Sequence, residues 1–84
     1  RTHGHDIRLT VKEAAILKLL CCSDGQPVDR QILMQQVWGS VVPATVHRLE
    51  MHIHRLRQKI ERDPRRPDLL VTLSGGYQLG QAPN

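Results

Sequence analysis

Aromatic side chains are almost missing from this 84-residue chain, which has no Phe, one Trp and one Tyr. Proteins that grip single strands or RNA loops stack bases on aromatic platforms, so that mode of binding has little to work with here. Cysteine is equally scarce, and the only two, Cys21 and Cys22, are neighbours. Adjacent cysteines close no loop, which excludes a disulfide framework. They read as two small, largely hydrophobic residues near a helix end, kept in a reducing compartment. No activating group beside them suggests a catalytic thiol. No run approaches the ~20 apolar residues of a membrane helix, and the N-terminus has no charged-then-apolar secretory signature. The expectation is a soluble, cytoplasmic protein without repeats or low-complexity blocks.

What is present is small and basic. A chain of this length makes one domain and buries only roughly 60–65% of its unfolded surface, so each large apolar residue matters. Twelve Lys+Arg stand against eight Asp+Glu, a net charge of +4 with five histidines besides, and the pI is near 9.7. That balance favours a polyanionic partner.

The most informative stretch is Thr45 to Arg62, TVHRLEMHIHRLRQKIER. Val46, Leu49, Ile53, Leu56 and Ile60 recur at steps of three, four, three and four, one narrow stripe on a 3.6-residue helix. At about 100° per residue, His47, Arg48, Met51, His54, Arg55, Gln58 and Arg62 gather on the opposite side. Glu50 is the one nearby acid, toward the flank. Such a face suits the major groove of duplex DNA, where arginines meet phosphates and guanine edges and an apolar group touches a thymine methyl. An ordinary amphipathic helix with a solvated basic side is the plain alternative.

Around this helix the other elements fall in order. Residues 1–6 form a polar tail whose His3 and His5 read as solvated rather than metal-binding, and Ile7 to Leu9 alternate as a short strand. Thr10 with Glu13 matches a capping box opening a first helix that fades near Cys22, with Ala14, Ile16, Leu17, Leu19 and Leu20 as its apolar face. Ser23-Asp24-Gly25 is a turn, with Gly25 at positive φ, and Gln26 to Val28 is extended before Pro27 and after it. Asp29 caps a second helix from about Arg30 to Val37, with Ile32, Leu33 and Val37 inward and Met34 at the margin. Trp38 closes that helix and Gly39 lets the chain leave. In the connection that follows, Val41 and Val42 either tuck into the core or show an apolar patch to another protein. Pro64 and Pro67 stop the long helix. Leu69 to Leu73, a Ser74-Gly75-Gly76 turn and Tyr77 to Leu79 then make a β-hairpin, and residues 81–84 fray. Domain boundaries of 7–80 follow. Three helices and a C-terminal hairpin, mainly α, describe a winged helix-turn-helix.

With these landmarks in that order, the sequence resembles the C-terminal DNA-binding domain of OmpR/PhoB-type bacterial response regulators. The likeness runs from Ile7 to Leu79. It rests on LTVKE at 9–13, the Leu-rich helix, Gly25, VWG at 37–39, MHIHRLRQKI at 51–60 and TLSGGY at 72–77. The resemblance implies sequence-specific duplex DNA binding by a transcriptional regulator of a two-component system, without catalysis, metal, cofactor, membrane contact or small-molecule substrate. It places Arg55 and Met51 at base edges, with His47, Arg48 and His54 in variable groove-facing positions beside them. His52 and Arg57 fall at phosphate positions, and the helix's own polar face adds His54, Gln58 and Arg62 as expected phosphate contacts. Thr72, Ser74, Gly75 and Gly76 form the wing. The stretch from Gly39 to Val46, with Val41 and Val42, corresponds to a surface for RNA polymerase, and members usually bind direct repeats as head-to-tail dimers.

Two departures stand out. The wing turn is one residue shorter than usual, and its basic positions hold Ser74 and Gln78, which predicts weak wing binding. The small N-terminal sheet and receiver domain typical of the family are represented only by Ile7–Leu9, so the chain reads as an excised fragment or a shortened member. Rival readings are a protein-interaction module, although Met51 is the single apolar anchor on the outer face, and the cytoplasmic part of a membrane-anchored regulator. Catalysis fails for want of residues: His47, His52 and His54 lack the i,i+4 pairing of a helical metal site, and Glu50 and Glu61 are too far apart for a carboxylate pair. Protonation of the three histidines is expected to raise DNA affinity at low pH.

Overall fold

Thr10 opens the first helix as a reciprocal cap. Its hydroxyl accepts from the Glu13 N–H at 3.2 Å, and the Glu13 carboxylate accepts from the Thr10 N–H at 3.0 Å. In the computed structural model, which describes residues 7–80, this helix, α1, spans Val11–Cys22. The tail at 1–6, with His3 and His5, and the expected fraying at 81–84 lie outside the described residues. Ile16 and Leu20 are fully buried. Ala14 is exposed, contrary to expectation, because it sits about 200° around the axis from Ile16. Cys21 and Cys22 are free and exposed at the helix end. Ile7 to Leu9 forms no strand: a strand needs a neighbour for its backbone groups, and among the described residues the three strands pair only with one another.

The turn after α1 uses Asp24 as well as Gly25 at positive φ. The extended segment behind it is a true strand, β1, Val28–Asp29. Asp29 then caps α2, Arg30–Trp38, accepting from the Gln31 N–H at 2.7 Å, and Gly39 ends it in the left-handed region at φ 74. Leu33 faces the core as expected, but Met34 is buried with it while Ile32 is 52% exposed, reversing the expected places of Ile32 and Met34. Leu33, Met34, Val37 and Trp38 form the inner face of this short helix, and Ile32 lies about 200° from Met34.

The long helix, α3, runs Pro43–Ile60 with Pro43 in its first turn. It therefore starts and stops two residues earlier than the 45–62 expected. Proline fits a helix start because its missing N–H has no intrahelical partner there. β2, Leu70–Leu73, and β3, Gly76–Leu79, make the C-terminal hairpin. The sheet is three-stranded and antiparallel, in the order β1-β3-β2, so β1 extends the expected hairpin. The core gathers Ile16, Leu20, Leu33, Met34, Leu49, Ile53, Leu56, Leu70 and Tyr77 from all three helices and the hairpin. Three helices with a small sheet built on the C-terminal hairpin are a winged helix-turn-helix.

Candidate nucleic-acid interface

The aliphatic stripe of α3 does what its spacing requires. Leu49, Ile53 and Leu56 are buried, and Val46 and Ile60 pack against them at the margins. Thr45 is buried as well, its hydroxyl 3.0 Å from that of Ser40, which holds the start of the helix to the preceding loop. With that side fixed, His47, Arg48, Met51, His54, Arg55 and Gln58 are all exposed on the other. The two ion pairs among the described residues are Lys59–Glu13 and Arg65–Asp63, so no carboxylate neutralises Arg48 or Arg55 within them. Met51 is 39% exposed amid these cations.

Three expected contacts sit differently. Arg62 is exposed but lies beyond the helix, past Glu61, where the backbone turns extended; the basic helical face thus ends at Gln58. His52 is half-buried. Its Nδ1 lies 2.7 Å from the Arg48 carbonyl, and its ring meets Trp38 edge-on at 5.2 Å. Arg57 is half-buried too and turns to the sheet: Nε donates to the Leu70 carbonyl at 3.0 Å and Nη2 to the Thr72 hydroxyl at 2.6 Å.

The wing is pinned from several sides. The Gly75 carbonyl accepts from the Arg30 N–H at 2.9 Å, at the start of α2. Gly75 has φ 87, a conformation glycine accepts without strain. Gly76, expected in the wing's contact set, is buried and pairs with Asp29 and Leu73. A Cβ there would stand 2.2 Å from the Val28 carbonyl oxygen, so glycine is required by the close approach of β1. The outward wing residues are Thr72, Ser74 and Gly75.

Two buried carboxylates anchor α3 beneath the face; the sequence pointed to Glu13 as a cap only, not to its ion pair, and not to the role of Glu61. Glu13 is 1% exposed and forms an ion pair with Lys59 at 2.5 Å. Burial would push its pKa up, but the Lys59 ammonium, the Thr10 N–H and the more distant His52 outweigh that and hold it below the ordinary 4.5. Glu61, also buried, accepts from the N–H groups of Asp68, Leu69 and Leu70 at 2.9, 3.1 and 2.6 Å. A carboxylate that satisfies backbone donors in this way fixes where the chain re-enters the sheet. The signals were present in the sequence: a capping glutamate within an otherwise apolar face, and Glu61 four residues after Arg57. Tyr77 is buried, which pushes its phenol pKa up; nearby Glu50 adds to this, and Arg30 and Arg57 oppose it.

Val41 and Val42 are 42% and 48% exposed, so they do not belong to the core. Val41 lines an open cavity of about 440 Å³ with Met34, Val46 and Gly75. No helix among the described residues is long and apolar enough to cross a membrane.

Residues 4–79 match the family described as "Transcriptional regulatory protein, C terminal". The chain is 41% identical over 80 residues to the probable transcriptional regulator ycf27 of Porphyridium aerugineum, covering 93% of this chain and 33% of that protein. The DNA-binding response regulator MtrA of Mycobacterium tuberculosis is 38% identical over 79 residues, 93% of this chain and 35% of its own length. The probable transcriptional regulator ycf27 of Guillardia theta is 45% identical over 74 residues, 84% and 29% of the two chains. The chain thus spans about a third of the length of these relatives.

Proposed function

Because this chain belongs to the OmpR/PhoB-type family of transcriptional regulatory C-terminal domains, a DNA-binding family, we propose that it lays α3 in the major groove of a specific duplex and serves as the effector domain of a cytoplasmic response regulator. The single observation that supports this most is the outer face of α3, where exposed Arg48, Arg55, His47 and His54 surround Met51 above a buried aliphatic stripe. Arg55 reads a base, as a guanidinium can bond guanine O6 and N7 together. Met51 meets a thymine methyl, and Arg48 and His47 vary the preference alongside. His54, Gln58 and the remaining edge of His52 meet phosphates, with Arg62 reaching the backbone from beyond the helix end. Thr72, Ser74 and Gly75 supply polar wing contacts.

The exposure of Val41 and Val42 beside α3 favours their use as a contact for RNA polymerase, whereas core packing would have hidden them. Head-to-tail pairing on direct repeats would supply the affinity that one small domain lacks. Titration of a labelled duplex at increasing salt tests the whole reading. Affinity is expected to fall with a log–log slope of about −0.9 for each phosphate neutralised. Absence of binding at ~50 mM salt, where phosphate contacts are strongest, would instead support a partner protein for this face.

A further inference from the structure

The hairpin from Leu70 to Leu79 contains no Lys, Arg or His, and contact with a phosphate backbone draws its affinity from cations. The charge bonded to this wing comes from the recognition helix. Arg57 on α3 holds the Leu70 carbonyl and the Thr72 hydroxyl of β2. Four residues later, one turn further along, Glu61 accepts from the Leu70 N–H. β2 is an edge strand, and both backbone groups of Leu70 are thereby satisfied by side chains from the end of α3. The strand edge is closed at Leu70, and the wing's outer strand is fixed there to the end of the helix.

We propose that Arg57 is a positioning residue for the wing: its guanidinium sets the angle between wing and helix and brings to β2 the positive charge the hairpin lacks. The proposal rests on the DNA-binding reading and deepens it. A guanidinium has five N–H donors in a rigid plane. The wing engages Nε and Nη2, and the donors left over are available to a phosphate oxygen. A phosphate held there is shared between helix and wing, through the same group that grips Thr72. Both elements then seat on the duplex as one body. A lysine keeps the charge but cannot reproduce the planar fork that reaches a carbonyl and a hydroxyl together. Thr72 acquires a defined part as well, because its hydroxyl is the wing's handle on Arg57 whether or not it touches DNA itself.

The test compares wild type, Arg57→Lys and Thr72→Val on a duplex selected from random sequence, by affinity at several salt concentrations and by hydroxyl-radical footprinting of the sugar–phosphate backbone. Both variants keep a cation at position 57 that can still meet a phosphate from the helix side, so the salt slope should change by less than the ~0.9 of one lost phosphate contact. Both should lose the flanking protection under the wing while keeping the central protection under α3, with affinity lower by about tenfold, the scale of one charge-assisted hydrogen bond. Thr72 is exposed, so Thr72→Val stays informative even if Arg57→Lys unfolds. Wing protection retained in Thr72→Val would overturn the proposal, as would a lower melting temperature with an intact footprint, the mark of a purely structural bond. A wild type that leaves no footprint on any duplex would overturn the DNA-binding reading itself.

Discussion

The outer face of α3 and the wing lie side by side but are built on opposite principles. On the helix, the aliphatic stripe packs inward and His52, Arg57 and Lys59 engage neighbouring elements, while Arg48, His54 and Arg55 are left exposed on the outer face. On the wing almost every group has a partner: Gly75 with Arg30, Gly76 with Val28 and Asp29, Leu70 with both Arg57 and Glu61. The helix is a rigid support for free charge, and the wing is an uncharged strap fastened to that support. Affinity and sequence preference should therefore reside in α3, while the hairpin contributes stability and alignment.

The hardest blow to this contrast falls on the strap. Gly76→Ala drives a methyl group into the Val28 carbonyl, and should cost about 3 kcal/mol of stability by the overpacking rule, read from the urea midpoint. A cost near zero would mean that the wing is loosely held and the comparison is mistaken. Next in size is Arg55→Ala, which should leave the melting temperature unchanged and weaken binding to a selected duplex by about 1–3 kcal/mol. If scrambled duplexes lose affinity equally, Arg55 contacts phosphate rather than a base.

Glu13→Gln separates the support from its charge. It should cost about 1.5 kcal/mol, the low end of the scale of a hydrogen bond to a charged group because Lys59 is partly exposed, leaving the salt slope of DNA binding unchanged. Because the folded-state pKa of Glu13 lies below its ordinary 4.5, its contribution is fully present above that value. It is lost as pH falls through the lower, folded-state value. The gap between wild type and variant in urea unfolding should close on acidification; a gap that widens would reverse the assigned direction. The smallest expected effect is a gain. Ser74→Arg restores a cation to the turn and should steepen the salt slope by up to about 0.9, with less than about 1 kcal/mol of added affinity at moderate salt. No change in slope would place the turn out of reach of the duplex.

The helices were legible in the sequence because their determinants are local: the Thr10–Glu13 box, the Asp29 cap, the left-handed Gly39 and the three-four spacing from Val46 to Ile60. The outward placement of Arg48, Met51 and Arg55 followed from that spacing. What escaped depends on distant parts of the chain. β1 is only Val28–Asp29, too short for an alternating pattern, and is a strand because β3 lies beside it. Gly76 looked like turn chemistry, yet its reason is the approach of Val28 from 48 residues earlier in the chain. Arg57 belongs by periodicity near the polar edge of the helix, and its engagement with β2 is set by tertiary packing. Ile32 and Met34 exchanged roles because a nine-residue helix offers two turns' worth of apolar positions and only its neighbours decide which are covered.

Dimethyl sulfate protection on a selected duplex tests the central claim most directly, since it methylates guanine N7 in the major groove and adenine N3 in the minor groove. With wild-type protein, guanine N7 should be shielded at the centre of the site, and Arg55→Ala should restore methylation at one guanine. Shielding confined to adenine N3, with every guanine N7 reactive, would contradict the placement of α3 in the major groove.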